Sequence, residues 1–175
     1  MIYLITGGSG SGKSAFAEEL VETFHKEKRY YIATMKPFGE EIRQKILRHQ
    51  KMRSTKHFTS VECYTGLKGD LVPDKCVVLL ECISNLVANE MFETEGAKEN
   101  TVQVILDGIN QIAKKAEELV IVTNEVFSDG VLYGADMEQY LANLGEMNQK
   151  LANMADQVIE VVYAIPIYHK REVKK

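Results

Sequence analysis

The chain has 175 residues, 45% of them apolar and 26% charged, which suits one globular domain over residues 1–175 with a sizeable buried core. Twenty-one Lys and Arg against twenty-five Asp and Glu leave a net charge of -4, which excludes a whole-molecule attraction to nucleic acid or anionic lipid, so any anionic ligand has to be caught locally. The three cysteines, Cys63, Cys76 and Cys82, lack metal-type spacing, and no run reaches the roughly 18 apolar residues of a membrane span; the sequence is read as that of a cytoplasmic protein without structural zinc.

The first predicted element is a strand from Ile2 to Thr6, and it runs straight into Gly7-Gly8-Ser9-Gly10-Ser11-Gly12-Lys13-Ser14. This fits G-x-x-x-x-G-K-[ST] in the place where that pattern works, after a strand and before a helix. Glycines let the backbone approach phosphates closely and turn successive N–H groups inward. Lys13 supplies a point charge to the β and γ phosphates, Ser14 offers a hydroxyl to Mg²⁺, and the first turn of the next helix adds its dipole. That helix is predicted from Lys13 to Lys26, with Phe16, Leu20, Val21 and Phe24 on one face. A strand follows from Tyr30 to Thr34.

The next predicted helix starts near Glu40. From Arg43 to Lys56 the chain carries six cations and no acid, leaving -10 for the remainder. Ile42, Ile46, His49 and Arg53 follow i, i+4, i+7 and i+11, so His49 shares a face with the apolar stripe. Neighbouring cations disfavour the imidazolium and keep the ring nucleophilic; a satisfied core histidine would show the same pattern. Glu62 to Lys75 is expected to be a surface connection.

A buried strand is predicted from Cys76 to Cys82, with Glu81 at its end in the position of a metal-binding acid, Glu replacing the commoner Asp. Cys82 reads as a small buried hydrophobe. After a connection from Glu93 to Asn100 come a strand from Leu119 to Thr123 and a helix from Met137 to Met154, presenting Met137, Tyr140, Leu141, Leu144, Leu151 and Met154. A last strand runs from Gln157 to Tyr163. Alternating strands and helices predict an α/β protein, a mainly parallel sheet sandwiched by helices in a P-loop NTPase-like three-layer fold. The ligand then lies beyond the carboxyl ends of the strands.

Several blocks together resemble the bifunctional adenosylcobinamide kinase and adenosylcobinamide-phosphate guanylyltransferase family of cobalamin biosynthesis. They are Thr6-Gly7-Gly8 with Ser11-Gly12-Lys13-Ser14, Tyr31-Ile32-Ala33-Thr34, the His49 helix, Leu79-Leu80-Glu81-Cys82-Ile83, Val122-Thr123-Asn124-Glu125-Val126, and Gly145 with Asn148-Gln149 and Leu151-Ala152. The resemblance implies that His49 attacks the α-phosphate of GTP and carries GMP to adenosylcobinamide phosphate, while Lys13 serves a kinase step from ATP or GTP. It also implies nucleotide contacts at Gly7 to Ser14, at Ala33, Thr34 and Met35, at Gln50, Lys51, Met52 and Arg53, and at Glu62 and Glu81. Mg²⁺ on Ser14 and Glu81, corrinoid substrates and a homo-oligomer, described as a trimer in the family, complete that picture.

The chain departs from the family where the second substrate is expected. Glu125-Val126-Phe127-Ser128-Asp129-Gly130-Val131-Leu132 lacks the family's first glycine and its proline, and Glu138, Leu141 and Ala142 stand where arginines and an aspartate are common. Gly10 replaces an arginine and Ala164 a glycine. Guanylylation is therefore expected intact, and the kinase half weak or its acceptor altered. Two other readings stand beside this one, a generic P-loop small-molecule kinase and a non-catalytic nucleotide-binding regulatory protein.

Overall fold

The computed structural model describes residues 1–37, 39–40, 43–44, 46–47, 51, 56–126 and 134–171. In chain order the elements are β1 (Ile2–Thr6), α1 (Lys13–Thr23), β2 (Arg29–Ala33), β3 (Phe58–Glu62), β4 (Cys76–Glu81), α2 (Ile83–Phe92), α3 (Thr101–Lys115), β5 (Ala116–Val122), α4 (Ala135–Met154), β6 (Gln157–Val162) and β7 (Ile165–Arg171). Residues 39–40, 43–44, 46–47 and 51 are also helical.

All seven strands join one sheet in the order β3-β2-β4-β5-β1-β6-β7. Neighbours pair in parallel except β7, which returns antiparallel along β6. The central strand β4 is buried at all six positions, as expected for a strand covered on both faces. Its alternate residues feed two separate cores. Val78 and Leu80 join Leu4, Ile32, Leu119 and Ile121 under α2, α3 and α4, whereas Val77 and Leu79 join Tyr3, Ile5, Tyr31, Val120 and Val122 under Ala17 and Val21 of α1. This matches the three-layer expectation, and it fixes Glu81, two residues beyond Leu79, on the α1 side of the sheet.

Sequence reading missed four elements. The stripe of α3, Ile105, Ile109 and Ile112, is fully buried, and each such side chain contributes about 1.5–3 kcal/mol. Its basic last turn, Lys114 and Lys115, suits the helix dipole. The short α2 directly continues the apolar run of β4, while β3 and β7 are edge strands with mostly exposed residues. The connection from Glu62 to Lys75 also differs from expectation, since Cys63, Leu67, Gly69 and Val72 are buried. Gly108 is the reason: a Cβ there would lie 2.2 Å from the Leu67 carbonyl oxygen, so only glycine lets this segment lie down on α3. Alanine would gain about 1 kcal/mol of helix propensity. The clash with rigid backbone outweighs that, and Gly108→Ala is expected to lower unfolding free energy by about 2 kcal/mol in chemical denaturation.

Candidate functional site

The phosphate cradle follows directly from the turn out of β1. Gly12 caps α1 with φ of 94°, in the left-handed region, and a Cβ there would press on Ala164 at 3.2 Å. Three backbone bonds pin the loop. Ser11 N–H donates to Gly8 O at 3.2 Å, Ala164 N–H to Ser11 O at 2.8 Å, and Glu125 N–H to Gly7 O at 3.1 Å. Lys13, only 8% exposed, arches back so that Nζ donates to Gly8 O at 3.1 Å, holding its charge over the loop.

Glu81 is no solvated strand-end carboxylate. It is 8% exposed, Ser14 Oγ donates to its Oε1, and the Tyr31 phenol donates to its Oε2 at 3.1 Å. Because Tyr31, Leu79 and Glu81 share the α1 face, the strand end lies under the first turn of α1 and meets Ser14 there. A hydroxyl and a carboxylate brought together beside a phosphate cradle form a hard oxygen donor pair, which fits Mg²⁺. The Glu81–Cys82 peptide is cis. Thr34 braces the same corner, donating to Cys82 O at 2.8 Å and accepting from Cys82 N–H at 2.7 Å. Burial pushes the Cys82 thiol above its ordinary pKa, which keeps it protonated and unreactive, as the sequence suggested.

Beyond the strand ends lies a cavity of about 720 Å³, within the range of ligand sites. Ser9, Gly10, Gly12, Lys13 and Ser14 form one wall with Glu81; Ala33, Met35 and Glu62 contribute another. The helical residues Arg43, Ile46 and Leu47 close a third side. Thr34 stands behind this wall, fully buried, and Lys51, also helical, is exposed. His49, Gln50, Met52 and Arg53 lie outside the described residues, as does the altered loop over residues 127–133. Of the six cations, Lys56 turns away from the cavity to the buried Glu18 at 3.1 Å and to Glu22 at 3.6 Å.

Sequence reasoning assigned no role to Tyr31, Tyr64, Asn85 or Asn124, all on the cavity wall. Asn124 donates to Ser84 Oγ at 2.6 Å and Tyr64 to Glu62 Oε2 at 2.8 Å. Burial, reinforced by the Glu62 bond and charge, pushes the Tyr64 phenol up to about 12, so it remains a donor. A polar residue immediately after a buried strand, as Asn124 is after β5, was the available signal. For Tyr31 there was none, because its contact crosses strands.

Comparison with known proteins now decides the relationship. The family model described as cobinamide kinase / cobinamide phosphate guanyltransferase matches residues 3–168. The chain belongs to this family. It is 31% identical to the bifunctional adenosylcobalamin biosynthesis protein CobU of Salmonella typhimurium, over 95% of this chain and 98% of that protein. It is 30% identical to the protein of the same name from Escherichia coli, again over 95% and 98%. Among solved structures, an ATPase domain is similar with a TM-score of 0.57 and 12% identity, covering 99% of this chain and 78% of that one. That likeness establishes a P-loop NTPase-like fold, to which this family of transferases adds its own site. No helix among the described residues is long and apolar enough to cross a membrane.

Proposed function

We propose that the protein phosphorylates adenosylcobinamide and transfers GMP from GTP, through a guanylylated His49, to adenosylcobinamide phosphate, both reactions sharing one phosphate cradle. The observation that carries this reading is the cavity itself, where Lys13 and the Ser14–Glu81 pair face the helical residues Arg43, Ile46 and Leu47. In the sequence, His49 follows Ile46 by three, the spacing that supports its reading as the nucleophile. In the first step a nitrogen lone pair of His49 attacks the α-phosphorus of GTP. The Pα–O bond to the β-phosphate breaks, pyrophosphate departs with that electron pair, and the imidazole N–H proton passes to solvent water as the P–N bond forms. Lys13 and the inward N–H groups of Gly8 to Ser14 hold the leaving pyrophosphate. A phosphate oxygen of adenosylcobinamide phosphate next attacks the same phosphorus, the P–N bond breaks, the ring is reprotonated and adenosylcobinamide-GDP leaves.

In the kinase step the cradle positions the γ-phosphoryl of ATP or GTP for the aminopropanol hydroxyl, and Lys13 stabilises charge on the transferring oxygens. Mg²⁺ held by Ser14 and Glu81 would supply further charge neutralisation. The kinase half is weak or its acceptor altered, because Glu138, Leu141 and Ala142 stand where the family commonly carries arginines and an aspartate, which removes cations that would contact a phosphate or the corrinoid. Exposed Ile165, Ile167 and Tyr168 on edge strand β7 favour self-association, as a trimer by family resemblance.

The test uses GTP labelled separately at the α and γ positions, with Mg²⁺ and wild-type protein. An acid-labile, base-stable adduct labelled from the α position alone, chased onto adenosylcobinamide phosphate, is expected. Labelling from the γ position, or none at all, would leave the generic kinase or the regulatory protein.

A further inference from the structure

Glu81 ends β4 where an aspartate is commoner, and its extra methylene adds a rotatable bond that has to be fixed if the carboxylate is to hold one position. Its two oxygens take donors from two different elements. Ser14 Oγ, at the start of α1, donates to Oε1, and the Tyr31 phenol, from β2, donates to Oε2 at 3.1 Å. Tyr31 pairs in register with Leu79 and Ala33 with Glu81, so Tyr31 and Glu81 are diagonal neighbours on one face of the sheet, within reach of an aromatic side chain. The phenol itself has little freedom. Tyr31 is buried in the core beneath α1 and meets Phe58 edge-on, with ring centroids 6.2 Å apart.

A rigid donor on one oxygen limits what the carboxylate can offer a cation. Mg²⁺ demands near-ideal octahedral geometry and keeps several of its waters, whereas the larger Ca²⁺ gathers more oxygens and readily takes both from one carboxylate. With Oε2 engaged by Tyr31, Glu81 keeps a single oxygen beside the Ser14 hydroxyl. That arrangement suits the smaller cation and denies the larger one its chelate.

We propose that Tyr31, by tethering Oε2, keeps Glu81 monodentate and makes the phosphate site prefer Mg²⁺ to Ca²⁺. This rests on the reading in which Mg²⁺ accompanies the nucleotide at Ser14 and Glu81. Tyr31 is a positioning residue, and its effect passes through Glu81. Tyr31→Phe deletes the hydroxyl and retains the ring that packs against Phe58 and α1.

Equilibrium binding of GTP is measured on the whole protein in EDTA, in saturating Mg²⁺ and in saturating Ca²⁺, for wild type, Tyr31→Phe, Glu81→Gln and the double variant. Each cation's effect is taken as a ratio to the value in EDTA, so a general loss of affinity cancels. Wild type is expected to gain roughly tenfold more from Mg²⁺ than from Ca²⁺. In Tyr31→Phe the carboxylate can chelate, and the preference falls to about twofold or inverts, the scale expected for one hydrogen bond to a charged group. In Glu81→Gln the preference is already lost, and adding Tyr31→Phe changes it no further, which a merely structural role for Tyr31 would not produce. An unchanged preference in Tyr31→Phe, or the same shift from Tyr31→Phe in both backgrounds, overturns the assignment. The failures are distinguishable: GTP binding indifferent to both cations in wild type overturns the metal reading together with the assignment, and a preference preserved in Tyr31→Phe overturns the assignment alone. The expected shift without any GMP adduct overturns guanylyl transfer alone.

Discussion

His49→Ala should show no covalent GMP, with guanylyl transfer to adenosylcobinamide phosphate reduced by at least about 10⁴-fold, as expected when a nucleophile is deleted from a two-step displacement. The alternative of direct attack by the acceptor phosphate on GTP makes the opposite prediction, because a single displacement needs no imidazole. The same variant should bind GTP within a few fold of wild type, since Lys13 and the backbone of Gly8 to Ser14 are untouched. Whatever phosphorylation of adenosylcobinamide the wild type performs should survive in His49→Ala, because γ-phosphoryl transfer forms no bond to the ring. Labelling with α-labelled GTP and a separate kinase assay on adenosylcobinamide check both halves.

Lys13→Ala should remove both activities together. One charge at about 4 Å from a phosphate oxygen is worth about 4 kcal/mol at the effective dielectric of a protein surface, which corresponds to roughly 10³-fold in rate. On the proposed shared cradle the loss reaches pyrophosphate departure in one reaction and γ-phosphoryl transfer in the other. Two independent centres would instead give a variant impaired in one reaction only. Lys13 also donates to Gly8 O, so its removal frees a loop carbonyl that water can reach. Unfolding midpoints should therefore move little while both rates collapse, and initial rates at saturating GTP beside a thermal melt measure the two effects.

What was legible in the sequence had a local cause. Eight contiguous residues make the cradle, so Gly7 to Ser14 could be read with their roles from spacing alone. Glu81 was legible because an acid ending an apolar run is unusual, yet its meeting with Ser14 and Tyr31 depends on the register of β2 with β4 and on which face α1 covers. Glu62 entered only through the resemblance, since a glutamate on an exposed edge strand carries no signal of its own. The stripe of Ile105, Ile109 and Ile112 would have announced α3 had the period been counted. By contrast, β7 was hidden: its turn uses Tyr163 and Ala164 at φ of 51° and 62°, positions where glycine or asparagine normally marks a hairpin. The contact of Ala164 with the cradle stayed hidden with it.

The most direct measurement is the mass of the intact protein after incubation with GTP and Mg²⁺, followed by fragmentation to locate any modification and by addition of pyrophosphate. Covalent catalysis on a shared cradle predicts a gain of one GMP residue on His49, removed by pyrophosphate with regeneration of GTP. GMP on any other residue, or an unmodified protein that nonetheless binds GTP, would contradict it.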